Sequence, residues 1–105
     1  MAHKGVREFT GEELSGIALG KNGFHVLSNN SFTAASKGCE YWVAIKAVHA
    51  DATVKAQSIT GGDDLSQDGA YSGTAVEILH GDIVYGAFDE ITVTGSDYVI
   101  AYIGR

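Results

Sequence analysis

The stretch that decides the fold is Gly81-Asp82-Ile83-Val84-Tyr85-Gly86-Ala87-Phe88-Asp89-Glu90-Ile91-Thr92-Val93-Thr94-Gly95-Ser96-Asp97-Tyr98-Val99-Ile100-Ala101-Tyr102-Ile103. Two runs rich in β-branched and aromatic residues flank Gly95-Ser96, and a glycine takes the positive φ of a tight turn at no steric cost. The stretch therefore reads as a β-hairpin. Its second run, residues 97–103, is apolar on both alternating faces: Val99, Ala101 and Ile103 on one, Tyr98, Ile100 and Tyr102 on the other. Such a strand has to be covered on both sides, by its own domain or by another subunit.

Upstream, the same period of two recurs. Residues 39–49 place Tyr41, Val43, Ile45 and Ala47 on one face and Trp42, Ala44, Lys46 and Val48 on the other. Residues 52–59 alternate Val54 and Ala56 with Thr53, Lys55 and Gln57, one dry face and one wet. After a loop of glycine, aspartate and serine over 60–73, residues 74–79 turn Val76 and Ile78 inward and Glu77 outward. Gly86 marks a bulge or a close backbone approach, and Ile91 and Val93 share a core face opposite Thr92 and Thr94. Proline is absent and glycines number 14, so turns rest on Gly, Asn and Asp. The expected fold is all-β, a compact antiparallel β-sandwich or small barrel of about seven or eight short strands over residues 38–105.

Residues 1–37 differ. Thr10-Gly11-Glu12-Glu13 matches a capping box, yet Gly16 and Gly20 limit the helix it opens to a turn or two. Residues 24–27 and 32–35 have the composition of short strands around the turn Ser28-Asn29-Asn30-Ser31, but large apolar residues are too few for a separate core. The region is expected to be an N-terminal arm that packs on the β body or on a neighbour.

The chain of 105 residues has the size of one domain. Its net charge of −6 is unevenly spread. In residues 1–37, Lys4, Arg7, Lys21 and Lys37 outnumber Glu8, Glu12 and Glu13, whereas beyond them only Lys46, Lys55 and Arg105 stand against all the remaining acids. An acidic body argues against binding nucleic-acid phosphates, which takes clustered Lys and Arg. The lone Cys39 makes no intrachain disulfide. No apolar run approaches the roughly 20 residues of a membrane span. Residues 1–7 are followed by no apolar segment of a signal peptide, so synthesis in a cytoplasm is expected.

Motifs for chemistry are sparse. Asp64, Ser66 and Asp68 followed by Gly69 fit the first half of a calcium-binding loop, with oxygen ligands at alternate positions and a glycine for the sharp turn. The second half fails, because Ala75 stands where a bidentate glutamate belongs, and a solvated acidic loop is the plainer reading. His3, His25, His49 and His80 lack zinc-site spacing, and Cys39 has no evident activating partner. The adjacent pairs Asp63-Asp64 and Asp89-Glu90 would point to opposite faces of a strand and so do not converge as acid–base dyads. These readings give no enzyme, no cofactor and no metal. The aromatics Tyr41, Trp42, Tyr85, Phe88, Tyr98 and Tyr102 lie within strand patterns, where core or interface packing is their common use.

The residues Gly86, Phe88, Ile91, Val93, Gly95, Ile100 and Tyr102 form a G-x-F-x-x-I-x-V-x-G turn with a final apolar strand, and this pattern resembles the end of small tailed-phage virion proteins. The segment Tyr41-Trp42-Val43-Ala44-Ile45-Lys46 and its continuation are similar in style, whereas residues 1–37 are not covered. The resemblance implies a structural component of the virion, a head decoration or cement protein without enzymatic activity. It also implies a symmetric homo-oligomer, a trimer being favoured, bound to the major capsid protein on the outside of the shell. On that reading Tyr98, Ile100 and Tyr102 are the expected oligomer seam, and Phe9, Phe24 and Phe32 the apolar contacts of the arm with the shell. The alternative is a receptor- or carbohydrate-binding β module of a tail or fibre.

Overall fold

The computed structural model describes residues 22–105, with the side chains of Ser96 and Asp97 left aside. The capping box at Thr10 and the arm residue Phe9 therefore lie outside the described residues. Five strands follow in order: β1 (Phe24–Thr33), β2 (Trp42–Ala47), β3 (Ala52–Ser58), β4 (Val76–Ile78) and β5 (Ile83–Ile103), with one 3-10 turn at Ala35–Lys37. The architecture is all-β, as the alternating patterns require, but several expected short strands are one strand of 21 residues.

Nearly every pairing involves β5. Its residues 90–94 pair antiparallel with β3, in the register Val54↔Val93 and Ala56↔Ile91. On the other edge the same residues meet the second half of β1, with Phe32↔Ile91 and Asn30↔Val93. Residues 98–102 of β5 pair with the first half of β1, from Ser28↔Tyr98 to Phe24↔Tyr102. β2 lies between two segments of β5: Ala44 is opposite both Tyr85 and Tyr102, and Ile45 opposite both Val84 and Ala101. Partner numbers fall as those of β2 rise along each segment. The circuit from residues 83–88 of β5 through β2, residues 99–103 and β1 back to residues 90–93 closes on itself, giving a small barrel with the β3–β4 pair appended.

This register corrects the hairpin expected at Gly95-Ser96. Residues 91–93 have β1 on one edge and β3 on the other, and residues 99–102 have β1 and β2, so the two runs have no free edge with which to pair to each other. Gly95 does take a positive φ of 99°. It serves a jog in β5, where the five steps from Val93 to Tyr98 accompany two steps of β1 from Asn30 to Ser28. The Asn29 side chain accepts from the Gly95 N–H at 3.3 Å across that jog.

Part of the expected N-terminal arm, residues 1–37, lies among the described residues. Phe24–Thr33 is a full strand of the barrel, with Leu27 completely buried, and Ala34 beyond it is equally dry. A strand hydrogen-bonded to β5 along its length needs only these few inward residues, which fits the low apolar content of the segment. Leu27, Trp42, Ile45, Val54, Ile91, Val93 and Val99 are the largest fully buried side chains. On β5 the period of two is interrupted between Phe88 and Ile91, both inward, and the β3 register shifts there as well, Gln57 meeting Glu90 and Ser58 meeting Phe88. Gly86 has the expected close approach: a Cβ there would run into the Phe88 ring.

Candidate interaction surface

Residues directly opposite in a sheet share a face, so the register assigns the outside of the barrel. One row across four strand segments reads Phe24, Tyr102, Ala44, Tyr85; the next reads Val26, Ile100, Lys46, Ile83. Tyr98, opposite Ser28, extends the same face and stacks on His49 with ring centroids 5.6 Å apart. Phe24 is 51% exposed, Val26 54% and Tyr85 54%, while Tyr98, Ile100, Tyr102 and Ile83 are half-buried. Ala44, flanked by two tyrosines in its row, is fully buried. The result is a continuous apolar and aromatic band whose one charged member is Lys46.

Beyond the jog, the outer positions of β1 and β5 change character. Ser31, Thr92 and Lys55 form one row, and Thr33, Glu90 and Gln57 the next. This half is covered by the chain itself. The Tyr71 hydroxyl, brought over by the 60–75 loop, lies 2.6 Å from Thr92 Oγ1, which in turn lies 2.9 Å from Ser31 Oγ. Lys55 Nζ sits 5.0 Å from the centre of the Tyr71 ring. Burial holds the Tyr71 hydroxyl above its ordinary pKa, against the hydrogen bond with Thr92, which acts the other way. Where the barrel's own loop packs, the outer positions can hydrogen-bond to it; in the band, rings and branched aliphatics stand where hydroxyls would serve equally well.

The residues expected to meet a shell are thus split. Phe24 belongs to the band, next to Tyr102, with their rings edge to face at 6.0 Å. Phe32 packs against the core, with Lys37 Nζ 5.7 Å from its ring centre. Tyr98, Ile100 and Tyr102 share the outer face, as their alternation required. Val26, Ile83 and Tyr85 join them only through the register, although their own spacing at alternate positions was visible in the sequence.

In the acidic loop the side chains of Asp64, Ser66 and Asp68 make hydrogen bonds. Asp64 accepts from the Ser58 N–H at 2.8 Å through one oxygen and from the Tyr71 N–H at 3.0 Å through the other, so it ties the loop to β3. Asp68 accepts from Ser66 Oγ at 2.9 Å and from the Ala70 N–H at 3.1 Å, and these bonds lower its pKa. Both Asp64 oxygens and Oδ1 of Asp68 thus accept bonds from the loop and from β3, and the Ser66 hydroxyl donates to Asp68. Among the described residues no three His, Cys, Asp or Glu side chains are grouped to hold a metal ion.

At one end of the barrel a shallow depression is lined by Asn22, His25, Cys39, Tyr41, Ile103 and Arg105. Trp42, fully buried, donates its indole N–H to His25 Nδ1 at 3.0 Å. Burial, and secondarily the charge of Lys37, lower the His25 pKa from its ordinary 6.5. Burial raises that of the Cys39 thiol, the opposite of what an activated nucleophile needs. No helix among the described residues is long and apolar enough to cross a membrane. Comparison with family models, with curated proteins and with solved structures finds no match to this chain.

Proposed function

We propose that this chain is a non-enzymatic structural protein of a phage virion, a decoration protein made in the host cytoplasm that coats the outside of the head shell. The observation that carries the reading is the apolar band through Phe24, Val26, Ile100, Tyr102 and Tyr85, a surface of the kind that marks contact with another protein. The resemblance of the β5 sequence to the ends of small virion proteins supports it, as does an acidic body ill suited to nucleic acid. In this role the band seats on a neighbouring copy, within a trimer, or on the major capsid protein. Binding to the assembled lattice and not to free subunits then stabilises the particle by mass action.

Co-sedimentation with purified heads that lack the protein tests the reading. Saturable pelleting with heads is expected, and a chain that stays in the supernatant at every concentration tried overturns it. The exposed rings of Phe24 and Tyr85 favour a second reading, a receptor- or carbohydrate-binding module of a tail or fibre, because sugars stack on exposed aromatics. That reading requires a rise in melting temperature with a glycan and no binding to heads.

A further inference from the structure

We propose that the His25–Trp42 pair is an acid-released latch on the start of β1: a proton taken up at His25 Nδ1 removes the acceptor of a buried indole N–H and frees the first residues of β1 from β5. The inference is independent of the virion reading.

An indole N–H can only donate, so at 3.0 Å from it His25 Nδ1 must present its lone pair, and the ring proton of the neutral imidazole sits on Nε2. The rings meet at 90° with centroids 6.0 Å apart. Protonation makes both ring nitrogens donors. Two N–H groups then face each other, and the indole, completely shielded from water, loses the one acceptor it has among the described residues. Among the described groups around His25, one cation opposes the added charge. Lys37, on the 3-10 turn, acts on it directly. From the segment before β2 come Cys39 and Tyr41, and from the chain's end Arg105, which share the same depression. Arg105 is itself paired with Glu40, its Nε 3.5 Å from the carboxylate, so that acid is engaged elsewhere. Opposite His25 on β5 stands Ala101, and Ile45 follows on β2, neither of which carries charge.

The position of the pair gives it leverage. His25 is the second residue of β1, between Phe24 and Val26 of the apolar band. At this end the strand is held by its ladder to β5, from Phe24↔Tyr102 to Ser28↔Tyr98, by Asn22 Nδ2 donating to the Gly104 carbonyl at 2.9 Å and by the Ile103 N–H donating to the Gly23 carbonyl at 2.9 Å, and the jog separates this ladder from the pairs of residues 30–33. Release therefore displaces Phe24 and Val26 while residues 30–33, beyond the jog, stay paired with β5.

The chain has a single tryptophan, so its indole N–H gives one assignable NMR signal without mutagenesis. The full chain, labelled with nitrogen-15, is titrated from about pH 8 to about pH 4, a window that spans the histidine range. At the alkaline end, long-range nitrogen-15 correlations should show His25 with its proton on Nε2. On acidification the indole signal should shift with a midpoint below 6.5, with hydrogen exchange of residues 24–26 rising before that of residues 30–33. In His25→Gln, whose amide oxygen can still accept but does not titrate, the step should vanish, whereas it should persist in His49→Gln and His80→Gln. A proton on Nδ1 at the alkaline end overturns the latch. So does an indole signal that stays put until the whole chain unfolds, or one that titrates unchanged in His25→Gln. If that variant does not fold, the tautomer and the order of exchange in the wild-type chain decide the matter alone.

Discussion

Phe24 and Tyr102 are cross-strand partners at the end of the β1–β5 pairing, with ring planes at 66° and centroids 6.0 Å apart. They anchor one end of the outer band, and their contact is measurable apart from whatever covers it. Phe24→Ala, Tyr102→Ala and the double variant, compared by urea unfolding, should give a coupling of about 0.5–1.5 kcal/mol. A coupling near zero would show that the two rings act independently in solution.

The band itself is tested by charge. Ile100→Glu places a carboxylate in its middle row, whereas Thr74→Glu places one on an exposed loop position away from it. Ile100→Glu should weaken self-association or head binding by at least about tenfold, equivalent to about 1.4 kcal/mol, and Thr74→Glu should leave it unchanged. Sedimentation and native mass read both. Thr92, although also on the outer face, is a poor control because Tyr71 and Ser31 hydrogen-bond to it.

Gly86 is required for the room it leaves. Its φ is not in the left-handed region, yet a Cβ would collide with the ring of the nearly buried Phe88. Gly86→Ala should cost about 1–3 kcal/mol in denaturant unfolding through overpacking. A variant as stable as the wild type would mean that Phe88 can swing aside.

Asp64 acts as a brace for the long loop. Asp64→Ala leaves the N–H groups of Ser58 and Tyr71 without their acceptor, at a cost of about 1–3 kcal/mol, with faster proteolytic cutting between residues 60 and 75. Because its oxygens are already engaged, millimolar calcium should leave the melting temperature of the wild-type chain where it is. A calcium-dependent rise would give the loop a cation role.

The pH dependence follows from His25. Its pKa is depressed in the folded chain and returns to about 6.5 on unfolding, so below that value the unfolded chain binds the extra proton more readily. The stabilisation is fully present above pH 6.5 and is lost as pH falls through the depressed folded pKa. Denaturant midpoints from pH 8 to pH 5 should therefore fall in the wild type and fall less in His25→Gln.

Local pattern made the fold class legible, and the faces of Val54 and Ala56, of Ile91 and Val93, and of Val99 and Ala101 all follow from the period of two. Pairing was not legible. Gly95 carries the signal of a tight turn and has the backbone angle of one, but whether such a glycine turns a hairpin or jogs a strand depends on which edges are already taken by β1, β2 and β3, all far away in the chain. The outer face was half visible for the same reason. Tyr98, Ile100 and Tyr102 alternate openly, but a strand apolar on both sides does not say which side is out, and Val26 and Tyr85 reach that face only through β1 and β2. In the loop, residue type suggested ligands, whereas the backbone N–H groups of Ser58 and Tyr71, which no side-chain pattern displays, decide what Asp64 does.

The dominance of β5 has a kinetic consequence. Among the described residues β1 and β2 find their strand partners only on β5, and apart from the isolated Ala56–Leu65 bridge the one pairing made without it joins β3 to the three residues of β4. No stable part of the barrel can form while the chain is being synthesised until residues 83–103 have emerged, so some 60 residues wait with Leu27, Trp42 and Ile45 uncovered. Folding should be slow for so small a chain and nearly all-or-none, and in that interval the uncovered residues leave the growing chain open to aggregation.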